Sequence, residues 1–428
     1  MARRTRAADK DARGSNRSRL KRDIAVAVLG AGAPHASLMA GALAYMYEKK
    51  KTFDIFFTSG GGALIGLLFV AARNKKPSDA LRDVAEFGID ERIYRLFPVG
   101  YKTFFKQSWL TRQVRDWAEH FKLDVEPRPF PGQTPPPGYD AKEQRQRRLY
   151  NDAVDFWASA LTPPRLGPTS LGLCEHLPFL EDMVDFRTAN RPLPPSGLNL
   201  SIPILLPAPP GGPYYTADLH PGWFYVNAYN LDKTRIEQFQ NDIPANRPAG
   251  SAGSLTPAAI RAALSFPFVY PPQEINGARY CEGALIDPLN LPGVVDVVVD
   301  RSTARTTTTP EETPTIRFFL FDILGSLEKQ LMSRPRSLWD AYGLSILTPV
   351  ISLARMSQKI FCAIPNVPEL VRVEFTIPEK SRARPLDWSY ANTTALWDEG
   401  WATGEKLVAE HGQHLPARKD PEAPADGT

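Results

Sequence analysis

Ser59 lies in the run Asp54-Ile55-Phe56-Phe57-Thr58-Ser59-Gly60-Gly61-Gly62-Ala63, where β-branched and aromatic residues stop at a hydroxyl and three glycines follow. That pattern places a serine at a sharp strand-to-helix turn, the arrangement that exposes a nucleophile to a substrate carbonyl. Such a hydroxyl needs a proton acceptor and donors for the oxyanion that develops. Gly30-Ala31-Gly32-Ala33 follows the apolar run Ile24 to Leu29 and precedes a helical segment. Backbone N–H groups there, at a helix N-terminus, can face a negative charge. A plainer reading makes this loop a helix–sheet packing device. The dinucleotide-binding alternative fails because the third glycine and the following acidic residue are out of place.

The best proton acceptor is Glu282 in Tyr280-Cys281-Glu282-Gly283-Ala284, downstream of the hairpin signal Asn276-Gly277. A carboxylate beside a hydroxyl can take its proton without an intervening histidine; the bland alternative is a surface turn residue. A triad from Ser59, Glu282 and His411 or His414 is a further option, although the serine comes on the second strand, early for that order. His35, after the glycine loop, is a candidate oxyanion-side residue. His176 and His220 read as structural.

These residues need elements to hold them. Ile24 to Leu29 reads as a buried parallel strand, because short continuous apolar runs suit strands covered on both faces. A helix is expected over Ala36 to Glu48, a strand over Phe53 to Thr58, and a helix from Gly60 to Ala72. Pro77-Ser78-Asp79 starts another helix, and Trp109 to Leu123 is helical in pattern. Prolines at 127, 129, 131, 135, 136 and 137 mark a surface insert over 125–140. Ala141 to Leu161 follows as a charged helix with apolar positions for docking.

Later strands are expected at Ile202 to Leu206, Trp223 to Asn227, Val294 to Val299, Ile316 to Phe321 and Leu370 to Ile377. Ala258 to Leu264 forms a short helix capped by Thr256-Pro257, and Thr393 to Glu410 a closing one. Alternating strands and helices imply a three-layer α/β fold with a central, mostly parallel sheet flanked by helices. The domain spans 23–412, between a basic disordered tail (1–22) and a flexible C-terminal tail (413–428).

Composition narrows the functional classes. The chain has 428 residues and a net charge of +4, too small an excess to point to nucleic acid. Nine Arg or Lys fall in the first 22 residues, opposite only Asp9 and Asp11. That tail is solvated, with peripheral contact to an anionic membrane as a second role at roughly 1 kcal/mol per basic residue. Three distant cysteines indicate neither a disulfide framework nor a zinc site, so a cytoplasmic setting, membrane-peripheral at most, is expected. No run reaches the ~20 apolar residues of a membrane-spanning helix.

Five separated passages together resemble the patatin-like phospholipases, lipid acyl hydrolases built on a Ser–Asp dyad. Gly30-Ala31-Gly32-Ala33-Pro34-His35 is similar to the family's oxyanion loop, and Phe57-Thr58-Ser59-Gly60-Gly61 to its Gly-x-Ser-x-Gly elbow. Gly172 to Phe186 looks like a middle segment. Ala263-Leu264-Ser265-Phe266-Pro267-Phe268 matches an Ala-Ser-x-x-x-Pro stretch, and Glu282-Gly283-Ala284 with Pro288 the dyad motif Asp-Gly-Gly/Ala. The resemblance covers roughly Ile24 to Gly400. It implies a Ser59–Glu282 dyad, an oxyanion hole from Gly30, Ala31, Gly32 and Ala33, and an elbow of Phe57, Thr58, Gly60 and Gly61. The implied substrate is a lipid or phospholipid ester, and no metal or organic cofactor takes part. Three departures (Phe57 for glycine, alanines in the loop, Glu282 for aspartate) keep open a catalytically degenerate lipid-binding or interaction protein.

Overall fold

The computed structural model describes residues 23–32, 34–96, 126–160, 180–190, 202–206, 215–219, 224–241, 251–267, 269–291, 316–328, 338–363, 369–382 and 386–418. Strand β1 (Ile24–Leu29) is wholly buried, as its unbroken apolar run requires. It lies between β2 (Ile55–Thr58) and β10 (Ile316–Asp322), parallel to both. The helix α1 (Ala36–Glu48) links β1 to β2, and α2 (Gly61–Ala71) leaves β2. Then come α3 (Pro77–Glu86), α4 (Glu91–Leu96) and α5 (Ala141–Ala160). After two short helices, α6 (Leu180–Met183) and α7 (Phe186–Ala189), a detached antiparallel pair forms from β3 (Ile202–Leu206) and β4 (Tyr215–Leu219).

The main sheet resumes with β5 (Phe224–Asn230), parallel to β2, followed by β6 (Arg235–Gln240) and β7 (Ser251–Ser254). Next are α8 (Pro257–Ala263) and the hairpin of β8 (Gln273–Ile275) and β9 (Ala278–Glu282), which turns at Asn276-Gly277 with both residues at positive φ. The chain closes with β10, α9 (Ile323–Glu328), α10 (Leu338–Ala363), β11 (Glu369–Glu374), α11 (Glu379–Arg382) and α12 (Tyr390–His411). The strand order is β11-β10-β1-β2-β5-β6-β7. Its first five strands are parallel, β6 runs antiparallel to β5, and β7 lies parallel to β6. This is the mostly parallel, helix-flanked α/β architecture that the alternating pattern implies.

In the core Phe53 packs edge-on against Phe56 and Phe321 and at a tilt against Phe319. Helices α1 and α12 meet backbone to backbone, since a Cβ on Gly41 or Gly400 would strike a carbonyl oxygen of the other helix. The proline-rich surface insert is anchored to the body: Phe130 is buried against Trp397 and Trp401, the Arg82 guanidinium lies 3.3 Å from its ring centroid, and Arg128 pairs with Asp398. The C-terminal segment expected to be flexible from 413 is packed as far as Arg418. Leu415 is buried, Ala417 bridges to Lys51, and the Arg418 guanidinium sits 4.1 Å from the Tyr47 ring centroid. The basic tail 1–22, the helix expected over 109–123, the strand over 294–299, His176 and His220 lie outside the described residues. The long helix α10, with Pro349 inside it, has no counterpart among the expected elements.

Candidate active site

Register along one edge of β5 assembles the site. Strand β2 pairs with Phe224 to Val226 and ends at Thr58, opposite Val226. Beyond it β9 takes over, running antiparallel, with Glu282 opposite Ala228. Strand β6 covers the other edge throughout, so β2 and β9 share this one and their C-terminal ends meet around Asn227. The residues after Thr58 and those around Glu282 are thereby brought face to face, at the carboxyl ends of parallel strands where α/β folds place their ligands.

At the end of β2, Ser59 is fully buried. Its N–H donates to the Leu29 carbonyl (3.0 Å) and its hydroxyl to the Asp287 carbonyl (2.9 Å). The sharp turn falls one residue later. Gly60 has φ 51 and ψ -131, a conformation that L side chains rarely adopt, and caps α2. The carbonyls of Ser59 and Gly60 accept the first bonds of that helix, from Gly62 and Ala63 (3.0 and 2.9 Å). The expectation of an exposed hydroxyl at the turn is therefore corrected: the corner residue is Gly60, itself buried, and Ser59 still points inward at the strand end.

Phe57 is likewise no part of the turn; it is buried in β2 and stacks on Tyr225 with centroids 4.5 Å apart. Thr58 donates to the Tyr225 carbonyl (2.8 Å), and Gly61 opens α2. Gly62 has a steric role, because a Cβ there would run into the carbonyls of Leu29 and Gly30.

Glu282 is partly covered at the end of β9, its N–H held by the Ser265 carbonyl (3.0 Å). One carboxylate oxygen, Oε1, stands where a Cβ on Gly60 would be, between the methyl groups of Ala31 and Ala284. Protein atoms enclose this carboxyl, and desolvation raises its pKa from 4.5 to about 8. Among the described residues no hydrogen bond joins it to Ser59, whose hydroxyl is bound to Asp287.

The loop after Glu282 roofs the strand ends. The Asp287 carbonyl accepts from Asn227 Nδ2 (2.8 Å) as well as from Ser59, and Asn290 Nδ2 donates to the Thr58 carbonyl (3.2 Å). The Pro288 carbonyl accepts the Ala31 N–H (3.0 Å), so this candidate oxyanion donor already has a partner. Leu289 packs on Gly30, Ile323 packs on Gly32, and Ala33 lies outside the described residues.

His35 is buried at the start of α1, its Nε2 without a hydrogen-bond partner among the described residues, and burial lowers its pKa to about 4. His414 pairs with Asp23 (2.7 Å) before β1, at the opposite end of the sheet, and His411 packs against Phe319. The structure brings neither histidine to Ser59. Beside the site, Glu237 is buried; desolvation would raise its pKa, but hydrogen bonds from Tyr280, Asn230, Lys233 and Arg235 hold it at about 2. Among the described residues no cluster of His, Cys, Asp and Glu could hold a metal ion.

A family profile described as patatin-like phospholipase matches residues 27–295, which run from within β1 through the turn at Gly60 to beyond Glu282. The chain belongs to the patatin-like phospholipase family. No curated protein matches it. Among solved structures it is similar to VipD from Legionella pneumophila, at 10% identity over 88% of this chain and 67% of that one. The TM-score of 0.29 is too low for that likeness to bear on fold or function. Within this patatin-like protein, the residues that motif reading missed are Gly60 as the turn itself, Asn227 and Asn290. Three successive glycines allow the elbow to be placed in two registers, and only backbone geometry selects one. Among the described residues no helix is long and apolar enough to cross a membrane.

Proposed function

We propose that this patatin-like chain binds acyl lipid at the family's site without using Ser59 as an acyl-transfer nucleophile. The observation that carries this reading is the Ser59 hydroxyl, buried and donated to the Asp287 carbonyl while the turn residue, Gly60, has no side chain. Glu282 adds support: with a pKa of about 8, roughly a tenth of it is ionised at pH 7, leaving little base. The competing reading is a Ser59–Glu282 dyad hydrolase acting on lipid or phospholipid esters. It is favoured by the meeting of β2 and β9 on one edge of β5, but it requires Ser59 to leave Asp287 and turn outward.

Labelling with a fluorophosphonate probe, alongside turnover of a short acyl ester, separates the two in wild type and Ser59→Ala. The expected result is no labelling or turnover in either protein and equal binding of a fluorescent fatty acyl lipid by both. Labelling of the wild type that disappears in Ser59→Ala overturns the binding reading. Peripheral attachment through the basic tail belongs to the same proposal. It predicts salt-sensitive co-sedimentation of the full chain with anionic vesicles, lost when residues 1–22 are removed.

A further inference from the structure

The contact between Glu282 and Gly60 ties two departures from the family motif together. Gly60 holds the strained strand-to-helix corner at which a nucleophile elbow presents its side chain. Gly62, two residues later, is the glycine that the crossing of α2 over β1 requires. The spacing of Gly-x-Ser-x-Gly thus sets the hydroxyl's seat at position 60. In that seat stands the Glu282 carboxyl, with Ala31 and Ala284 as the other walls, 3.1 and 3.2 Å from a Cβ built there.

The glutamate backbone cannot retreat. Its N–H is bound to Ser265, and Gly283 behind it has no room for a Cβ, which would lie 2.8 Å from Asn227 Oδ1. Only the side chain's length can change, and one methylene moves the carboxyl by about one C–C bond, ~1.5 Å. Resting on the reading under "Proposed function", we infer that Gly60 and Glu282 are a compensated pair. The longer acid fills the space of the missing hydroxymethyl group, and the double change Gly60→Ser with Glu282→Asp reopens a working dyad.

In the reopened site the introduced hydroxyl oxygen bonds to the ester carbonyl carbon while its proton passes to the shortened carboxylate. The C–O bond to the alcohol then breaks and the alcohol leaves with that proton; water repeats the sequence to free the acid. The Gly61 N–H, at the first turn of α2, lies next to the developing charge in sequence and in the helix dipole. A fluorophosphonate traps the same step: an O–P bond forms, the P–F bond breaks, and fluoride leaves.

The test is a double-mutant cycle on the full chain, read by thermal midpoint and by labelling localised with mass spectrometry. Gly60→Ser alone is expected to lower the midpoint sharply, and Glu282→Asp to restore a large part of that loss. The double variant should label at position 60 at least tenfold faster than either single variant. If Gly60→Ser does not fold, Gly60→Ala with and without Glu282→Ala gives the same steric cycle. Equal midpoint losses in both backgrounds, or coupling without labelling, overturn the inference. Labelling of the wild type at Ser59 instead overturns the functional reading beneath it, so the two failures are distinct.

Discussion

Replacing Glu282 by glutamine removes a titration that the structure holds far from its ordinary range. The folded-state pKa is about 8 against 4.5, so between those values the folded chain binds the proton and the unfolded chain does not. Stability from this group is therefore complete at low pH and is lost as pH rises toward 8. His35 acts in the opposite sense. Its folded pKa is about 4 against 6.5, so stability is gained as pH rises through that window. Between pH 4.5 and 6.5 the two slopes cancel. From 6.5 to 8 Glu282 acts alone, and the interval of 1.5 units corresponds to a loss of about 2 kcal/mol.

Urea unfolding of wild type and Glu282→Gln, followed by tryptophan fluorescence at half-unit steps, isolates this contribution in the difference between the two curves. The variant is expected to gain about 2 kcal/mol on the wild type from pH 6.5 to 8.5, with His35→Gln changing only the acid side. Parallel curves above pH 6.5 would refute the protonated Glu282. They would also remove the objection to Glu282 as a general base.

Three other expectations follow from the same contacts. Ser59→Ala deletes a buried donor to a carbonyl that Asn227 still serves, so it should cost about 1 kcal/mol by chemical denaturation and leave acyl-lipid binding unchanged. Gly62→Ala drives a Cβ into the Leu29 and Gly30 carbonyls; a loss of more than about 3 kcal/mol, or no folded protein on expression, is expected, and a stable variant would contradict the crossing of α2 over β1. Arg148→Ala breaks the pair with Glu86 and the stack on Tyr390, 3.5 Å from its ring centroid. The loss of about 1 to 3 kcal/mol should appear as faster limited proteolysis within 141–160, where α5 docks on Ile89, Ile93 and Tyr94.

Several features were legible because their physics is local in the chain. The apolar run from Ile24, the hairpin at Asn276-Gly277 and the cap at Thr256-Pro257 form as their residue types require. Helix α10 was not, since Pro349 interrupts its pattern and its support comes from buried contacts such as Phe361 on Phe318. The anchoring of Phe130 could not be read either, because the Trp397 and Trp401 rings that receive it are more than 260 residues away.

For the site the division is sharper. The sequence by itself determined that a hydroxyl, a run of glycines, a small-residue loop and a carboxylate occur in an order matching one family, and that the sheet carrying them is mostly parallel. The pattern pointed to Ser59 at the turn, yet it could not exclude Gly60, because glycine is compatible with every conformation available there. Tertiary structure decided this. Docking α2 against β1 fixes Gly62 under the Leu29 carbonyl, which puts the positive φ on Gly60 and leaves Ser59 as the last inward residue of its strand. The meeting of β2 and β9 along β5 then sets the Glu282 carboxyl in the space beside Gly60, a contact between residues 222 positions apart that only strand register creates.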